Sequence, residues 1–103
     1  MDLLDVKNAL VEVIKVTPGV KGLNVYDLVN TTVVDLNEEE WAENIFVEET
    51  SKGWAIRCAI TILRGISAKN IVNEIHQQLN FKFKKKNKVL YKLNIMIKGV
   101  SDE

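Results

Sequence analysis

Two side chains in this sequence belong to types that often perform catalysis or bind metals, Cys58 and His76. Cys58 falls in an alternating apolar pattern, which predicts a buried thiol that behaves as a small hydrophobic residue. His76 flanks the apolar stripe of a predicted helix and is expected at the surface. One histidine and one cysteine on different elements leave a zinc site two ligands short. No phosphate-binding loop, dinucleotide fingerprint or nucleophile elbow is present. We therefore predict no catalytic residue, no metal site and no cofactor, which makes an enzyme the weakest class of function.

Charged residues indicate binding more strongly than catalysis. The 14 basic and 14 acidic residues cancel, but residues 1–50 hold 11 acids against 3 bases, and residues 51–103 hold 11 bases against 3 acids. The acids concentrate in 35–49 and the bases in 82–98. This asymmetry fits two poles on one molecule, two regions that neutralise each other in the fold, or separate solvated loops. The candidate partner-binding acids are Glu38, Glu39, Glu40 and Glu43.

The segment 81–88, predicted to be mainly a turn, combines five lysines with two aromatic side chains. The candidate partner-binding lysines are Lys82, Lys84, Lys85, Lys86 and Lys88. Lysines interleaved with aromatic rings can hold phosphates and stack nucleic-acid bases, which makes Phe81 and Phe83 the candidates for stacking. The segment could instead contact anionic lipid or the acidic residues of a second copy. It could also simply lead into a strand with one phenylalanine in the core.

Two amphipathic helices are predicted to position these residues. The first covers 2–16, with Asp2 as its N-cap and apolar residues at spacings of three and four. The second begins after Ser67, a good N-cap, and runs to about residue 81. Between the helices, residues 24–44 have no clear periodicity. A loop of this length is unusual in a compact domain, so we expect it to be functional or mobile, or to contain a short element.

Three strands are predicted, at 45–50, 54–63 and 89–98. A short glycine-containing turn joins the first two into a β-hairpin, and the helix between the last two predicts a right-handed crossover with parallel strands. The order α-β-β-α-β is that of an α+β two-layer sandwich, in which both helices pack on one face of a small mixed sheet. We expect one domain over 1–98 and a short tail over 99–103.

Several short motifs occur in an order that resembles one protein family. Residues 17–23 read TPGVKGL, 54–62 read WAIRCAITI and 65–71 read GISAKNI. Residues 72–79 read VNEIHQQL, and 93–100 read LNIMIKGV. In this order the motifs are similar to those of the alkaline shock protein family, the envelope stress response proteins of Gram-positive-type bacteria, and the resemblance extends over about four-fifths of the chain.

The resemblance implies a small, non-enzymatic cytoplasmic protein that associates with itself and is linked to cell-envelope stress or homeostasis. It also implies a protein partner, in some cases a membrane-anchored one that holds the protein at the inner face of the membrane. No span is predicted for the chain itself, because no apolar run approaches the ~20 residues that a bilayer requires.

RNA binding through 81–88 is the alternative function. The order α-β-β-α-β also occurs in the KH fold, which clamps nucleic acid with a GXXG loop. Residues 65–68 lack the second glycine of that loop, and the net charge is zero. Both observations count against this alternative.

Overall fold

The computed structural model describes residues 2–102 and has the predicted α+β architecture, with two helices packed on a five-stranded mixed sheet. Met1 of the predicted domain and Glu103 of the predicted tail lie outside the described residues. The helices are α1 (Leu3–Val16) and α2 (Ala68–Lys85). The strands are β1 (Val20–Asp27), β2 (Thr32–Asp35), β3 (Phe46–Thr50), β4 (Gly53–Leu63) and β5 (Leu90–Ser101). Two 3₁₀ turns, Glu38–Glu40 and Ala42–Asn44, lie between β2 and β3.

Side-chain caps confirm both predicted helix starts. The Asp2 carboxylate accepts a hydrogen bond from the Asp5 N–H at 2.9 Å, and the Asp5 carboxylate accepts one from the Asp2 N–H at 3.2 Å. The Ser67 hydroxyl accepts a hydrogen bond from the Asn70 N–H at 3.3 Å. Backbone donors in the first turn have no partner inside the helix. These short polar side chains therefore fix where each helix begins.

Helix α2 ends at Lys85, about one turn later than the sequence analysis predicts. Ile75, Leu79 and Phe83 recur at a spacing of four and are buried, so the apolar stripe continues into the segment 81–88. Lysine is a good helix former, and positive charge in the last turn is stabilised by the helix dipole. The first part of this segment is therefore helix rather than turn.

Strand β4 lies at the centre of the sheet and pairs along both of its edges. One edge pairs in parallel with β5, as the crossover through α2 predicts. The other edge pairs first with β3, over 53–57, and then with β1, over 60–62. Strand β2 pairs with the far edge of β1. Strands β1 and β3 thus follow one another along the same side of β4.

Strands β1 and β2 are additions to the predicted element order. They form a hairpin that contains much of the stretch 24–44, and its tip exposes Leu28 and Val29. Exposed apolar residues at the tip obscure the alternation that indicates a strand. Strand β5 also continues to Ser101, because Gly99 pairs with Thr61 and the ladder with β4 persists beyond it. Most of the predicted tail is therefore strand.

The core lies on the face of the sheet that the helices cover. Its β4 side chains alternate along the strand: Trp54, Ile56, Cys58, Ile60 and Ile62. Its helix side chains are Val6, Leu10, Val13 and Ile14 of α1 and Ile71, Ile75, Leu79 and Phe83 of α2. All of them belong to one buried cluster, so both helices pack on the same face, as predicted. The odd-numbered residues of β4 point to the opposite, open face.

Candidate functional site

The two aromatic candidates of the segment 81–88 have different environments. Phe83 is completely buried in the core, so its ring cannot stack on a base. It is a core residue, which corrects the prediction that it could stack. Phe81 is 63% exposed, and the Lys85 Nζ lies 5.2 Å from the centre of its ring. A cation at this distance is attracted to the ring, and Phe81 keeps the stacking chemistry that the sequence analysis predicts.

One of the five candidate lysines is held by an intramolecular ion pair. The Lys82 Nζ lies 3.0 Å from the Glu12 Oε2 on helix α1. This pair is partly exposed, so it stabilises the fold by less than about 1 kcal/mol. No ion pair formed within residues 2–102 involves the other four lysines. We call these exposed residues the basic patch: Lys84, Lys85, Lys86 and Lys88.

The acidic candidates lie on the two 3₁₀ turns and are all exposed. The Glu38 carboxylate lies 3.4 Å from the Lys15 Nζ. The Glu40 carboxylate accepts a hydrogen bond from the Asn37 N–H at 3.2 Å and so caps its own turn. The other two carboxylates form no ion pair within residues 2–102. We call these residues the acidic patch: Glu38, Glu39, Glu40 and Glu43.

Helix α1 separates the acidic patch from the basic patch. Glu43 lines a surface groove with Lys7, whereas Lys86 lines a different groove with Asp5. Positions 5 and 7 lie about 200° apart around a helix, so these grooves run along opposite sides of α1. Glu43 of the acidic patch and Lys86 of the basic patch therefore lie beside opposite sides of α1.

The two residues of catalytic type have different environments. Cys58 is buried in the core, and burial raises the pKa of its thiol to about 12. A thiol that stays protonated at neutral pH is a poor nucleophile. His76 is exposed on helix α2. Within residues 2–102, no three side chains of His, Cys, Asp or Glu come together in a way that could hold a metal ion.

A groove of about 540 Å³ lies on the open face of the sheet, where the sequence analysis predicts no site. The side chains that define its chemistry are Tyr26, Val33, Phe46, Arg57, Met96 and Lys98. Phe46 pairs with Arg57 across β3 and β4, and the guanidinium carbon lies 5.0 Å from the centre of the ring. Alternation along β4 places Arg57 on this face. The sequence gives no comparable signal for the hairpin that completes the groove.

A short chain of hydrogen bonds holds Asn24, which also lines this groove and is 3% exposed. Its Nδ2 donates to the Thr61 Oγ1 at 2.8 Å, and the Thr61 Oγ1 donates to the Asp35 Oδ1 at 2.5 Å. Because the one hydroxyl proton of Thr61 goes to Asp35, the nitrogen of the Asn24 amide must face Thr61. The Asn24 Oδ1 then has no partner, and within residues 2–102 no other buried side-chain nitrogen or oxygen lacks one.

Comparisons with known proteins show what fold the chain shares. No protein-family model matches it, and no curated protein does. A solved structure of the MamM CTD, in a doubly substituted form, is similar to it over 96% of this chain and 94% of that chain, with a TM-score of 0.61 and 12% sequence identity. At this identity the likeness shows the α+β fold alone. No helix within residues 2–102 is both long and apolar enough to cross a membrane.

Proposed function

We propose that this chain is a non-enzymatic protein-interaction domain that associates with itself from head to tail. The observation that carries the proposal is the position of the acidic and basic patches on opposite sides of α1. The basic patch of one copy can meet the acidic patch of the next, and each copy keeps one patch free. Attraction between exposed charges acts over a Debye length of about 10 Å at 0.1 M salt, so the contact depends on salt.

The outer strands on either side of β4 have the same polarity as the two patches. Exposed Glu48 and Glu49 lie on β3, and exposed Lys92 lies on β5. Within residues 2–102 each of these strands pairs with β4 alone, which leaves unpaired backbone groups along its outer edge. Contact between β5 of one copy and β3 of the next brings unlike charges together. Such a contact joins different surfaces, so it repeats from copy to copy.

The motifs that resemble the alkaline shock protein family support the wider proposal. On that resemblance we place the protein in the cytoplasm, link it to cell-envelope stress or homeostasis, and expect a protein partner at the inner face of the membrane. The basic patch supplies a surface for an acidic segment of that partner. Cross-linking in living cells, followed by identification of the captured proteins, tests this part. We expect membrane-anchored proteins and the protein itself, and the capture of ribosomal proteins alone would contradict the proposal.

Sedimentation velocity tests the head-to-tail contact. We expect the average sedimentation coefficient to rise with protein concentration at low salt and to return to the monomer value near 1 M salt, where the Debye length is about 3 Å. The variant with Lys84→Glu and Lys86→Glu should remain monomeric, because its patch then carries two positive and two negative charges and no longer attracts the acidic patch. The variant with Glu39→Lys and Glu43→Lys should behave in the same way.

An equimolar mixture of these two charge-reversal variants is the matched control. The first variant keeps only its acidic patch and the second keeps only its basic patch, so a copy of one can bind a copy of the other. We expect pairs to form in the mixture, which a variant that had merely lost its fold could not do. The head-to-tail contact would be overturned if either variant alone associated as the parent does, or if the mixture stayed monomeric.

Nucleic-acid binding through 81–88 is the second candidate function. The exposed ring of Phe81 beside the basic patch is the observation that favours it. Binding of single-stranded RNA should then weaken steeply with salt, because each phosphate contact releases counterions. It should also be lost in the Lys84→Glu and Lys86→Glu variant. Binding that survives in this variant would exclude the segment as the site.

A further inference from the structure

The groove on the open face of the sheet carries charge of one sign. Arg57 and Lys98 line it, and none of the described residues along it is acidic. Neither side chain belongs to an ion pair formed within residues 2–102. A concave surface concentrates the electric field of the charges that line it. The groove is therefore suited to an anionic group, whose charge Arg57 and Lys98 can neutralise.

Exposed aromatic rings give the same groove a second chemical preference. Tyr26 and Phe46 are 57% and 54% exposed, although both line it. The guanidinium of Arg57 over the Phe46 ring is held where its N–H groups can contact an anion next to the ring. Aromatic residues on the open surface of a sheet are a common platform for stacked nucleic-acid bases. The rings favour a ligand with a flat, unsaturated part.

Asn24 bounds the groove at its hairpin end. Its amide nitrogen is committed to Thr61, and its Oδ1 is buried without a donor. Because that oxygen has almost no accessible surface, it is a fixed part of the wall and not a contact point for a ligand.

We propose that this groove binds a nucleotide unit, with its phosphate on Arg57 and Lys98 and its base against Phe46 or Tyr26. A nucleotide unit meets both requirements, the anionic group and the flat unsaturated part. Inorganic phosphate has no ring to stack, and a fatty carboxylate has no flat ring. The volume of about 540 Å³ lies within the ~300–1,000 Å³ that is usual for small-molecule sites. This function goes beyond self-association and uses a different surface.

Titrations followed by two-dimensional NMR test the proposal, with AMP, adenosine and inorganic phosphate as probes. We expect AMP to shift the backbone amide signals of residues 24–26, 46 and 96–98, and adenosine or phosphate alone to bind more weakly at the same place. Phe46→Leu should weaken AMP binding roughly 5- to 150-fold, the effect of losing one base–aromatic stack. Arg57→Gln should weaken the binding of AMP more than the binding of adenosine.

The pair formed by Tyr91 and Lys52 provides a matched control. The Lys52 Nζ lies 5.6 Å from the centre of the Tyr91 ring, so the pair has the same kind of aromatic–cation contact on the surface, but it lies outside the groove. Tyr91→Leu and Lys52→Gln should leave AMP binding unchanged. The proposal is overturned if AMP shifts no signal of the groove, or if Tyr91→Leu weakens binding as much as Phe46→Leu does.

The nucleotide unit could come from a free nucleotide or from a single strand. A short oligoadenylate distinguishes these sources, because a strand that occupies the groove should bind more tightly than AMP and still be weakened by Phe46→Leu. Equal affinity for the two probes identifies the free nucleotide. The monomeric variant with Lys84→Glu and Lys86→Glu should retain AMP binding, so failure of the self-association proposal and failure of this one are separate results.

Discussion

Replacement of Phe83 by alanine measures how strongly the end of helix α2 is held to the core. Phe83 is completely buried and continues the stripe formed by Ile75 and Leu79. Removal of a buried phenyl ring loses the transfer free energy of its atoms and leaves a cavity, which together cost about 3–5 kcal/mol. The unfolding free energy of a domain is about 5–15 kcal/mol. We therefore expect Phe83→Ala to remove a fifth or more of the stability.

Urea denaturation followed by tryptophan fluorescence is the assay, because Trp41 and Trp54 are both buried and report on unfolding. With a slope of ~1–3 kcal/mol per molar urea, the midpoint should fall by at least about 1 M. Phe81→Ala is the matched control, since this ring is exposed two residues away, and its effect should stay within about 0.5 kcal/mol. Equal midpoints for the two variants would refute the different roles that we assign to these rings.

Three further predictions concern single positions. Gly53→Ala should lower the unfolding temperature more than Gly65→Ala does. Both glycines have a positive φ, but a Cβ at position 53 would lie 2.6 Å from a backbone oxygen, whereas a Cβ at position 65 would meet nothing within 4 Å. Thr61→Val should cost about 1–3 kcal/mol in urea denaturation, since the buried amide that donates to this hydroxyl loses its acceptor; an unchanged midpoint would contradict the network. Hydrogen bonds from Asn30 hold the pKa of Asp27 below its usual 3.8. The resulting stability is present above pH 3.8 and is lost as the pH falls through the lower folded value, so the difference in stability between the parent and Asp27→Ala should shrink in acid.

The elements that could be predicted are those whose signal is local. Asp2 and Ser67 mark helix starts because a short side chain satisfies nearby backbone donors, whatever the rest of the chain does. Strand β4 shows its alternation because one face is buried and the other is open. The parallel pairing of β4 and β5 follows from the handedness of the crossover. Each of these inferences needs only neighbouring residues or a general rule of topology.

The features that could not be predicted depend on partners distant in sequence. Strand β1 pairs with residues 60–62 of β4, and no local sequence pattern around Val20 or Leu23 predicts that pairing. The choice between Phe81 and Phe83 depends on which ring faces the core once α2 extends past residue 81. The charge asymmetry could be counted from the sequence. Whether the opposite charges neutralise each other or form separate patches depends on the packing of α1 between them.

The groove is the extreme case, because its chemistry comes from four separate parts of the chain. Tyr26 lies on the hairpin, Phe46 on β3, Arg57 on β4 and Lys98 on β5. Arg57 and Lys98 lie in motifs that resemble strands of a known family, but no motif connects them with each other or with Asn24. They come together only through the sheet order β2-β1-β4-β3 with β5 beside β4. A site assembled across strands in this way has no spacing that a search of the sequence could find.

The charged patches and the groove, if both bind as proposed, would make self-association and strand binding strengthen each other. The acidic and basic patches belong to the helical layer, whereas the groove lies on the open face of the sheet. A head-to-tail contact through the patches therefore leaves the groove of every copy accessible. A single strand that occupies the grooves of successive copies would then hold neighbours together, and the second binding event would become intramolecular. Free AMP occupies one groove at a time, so it has no such effect on association.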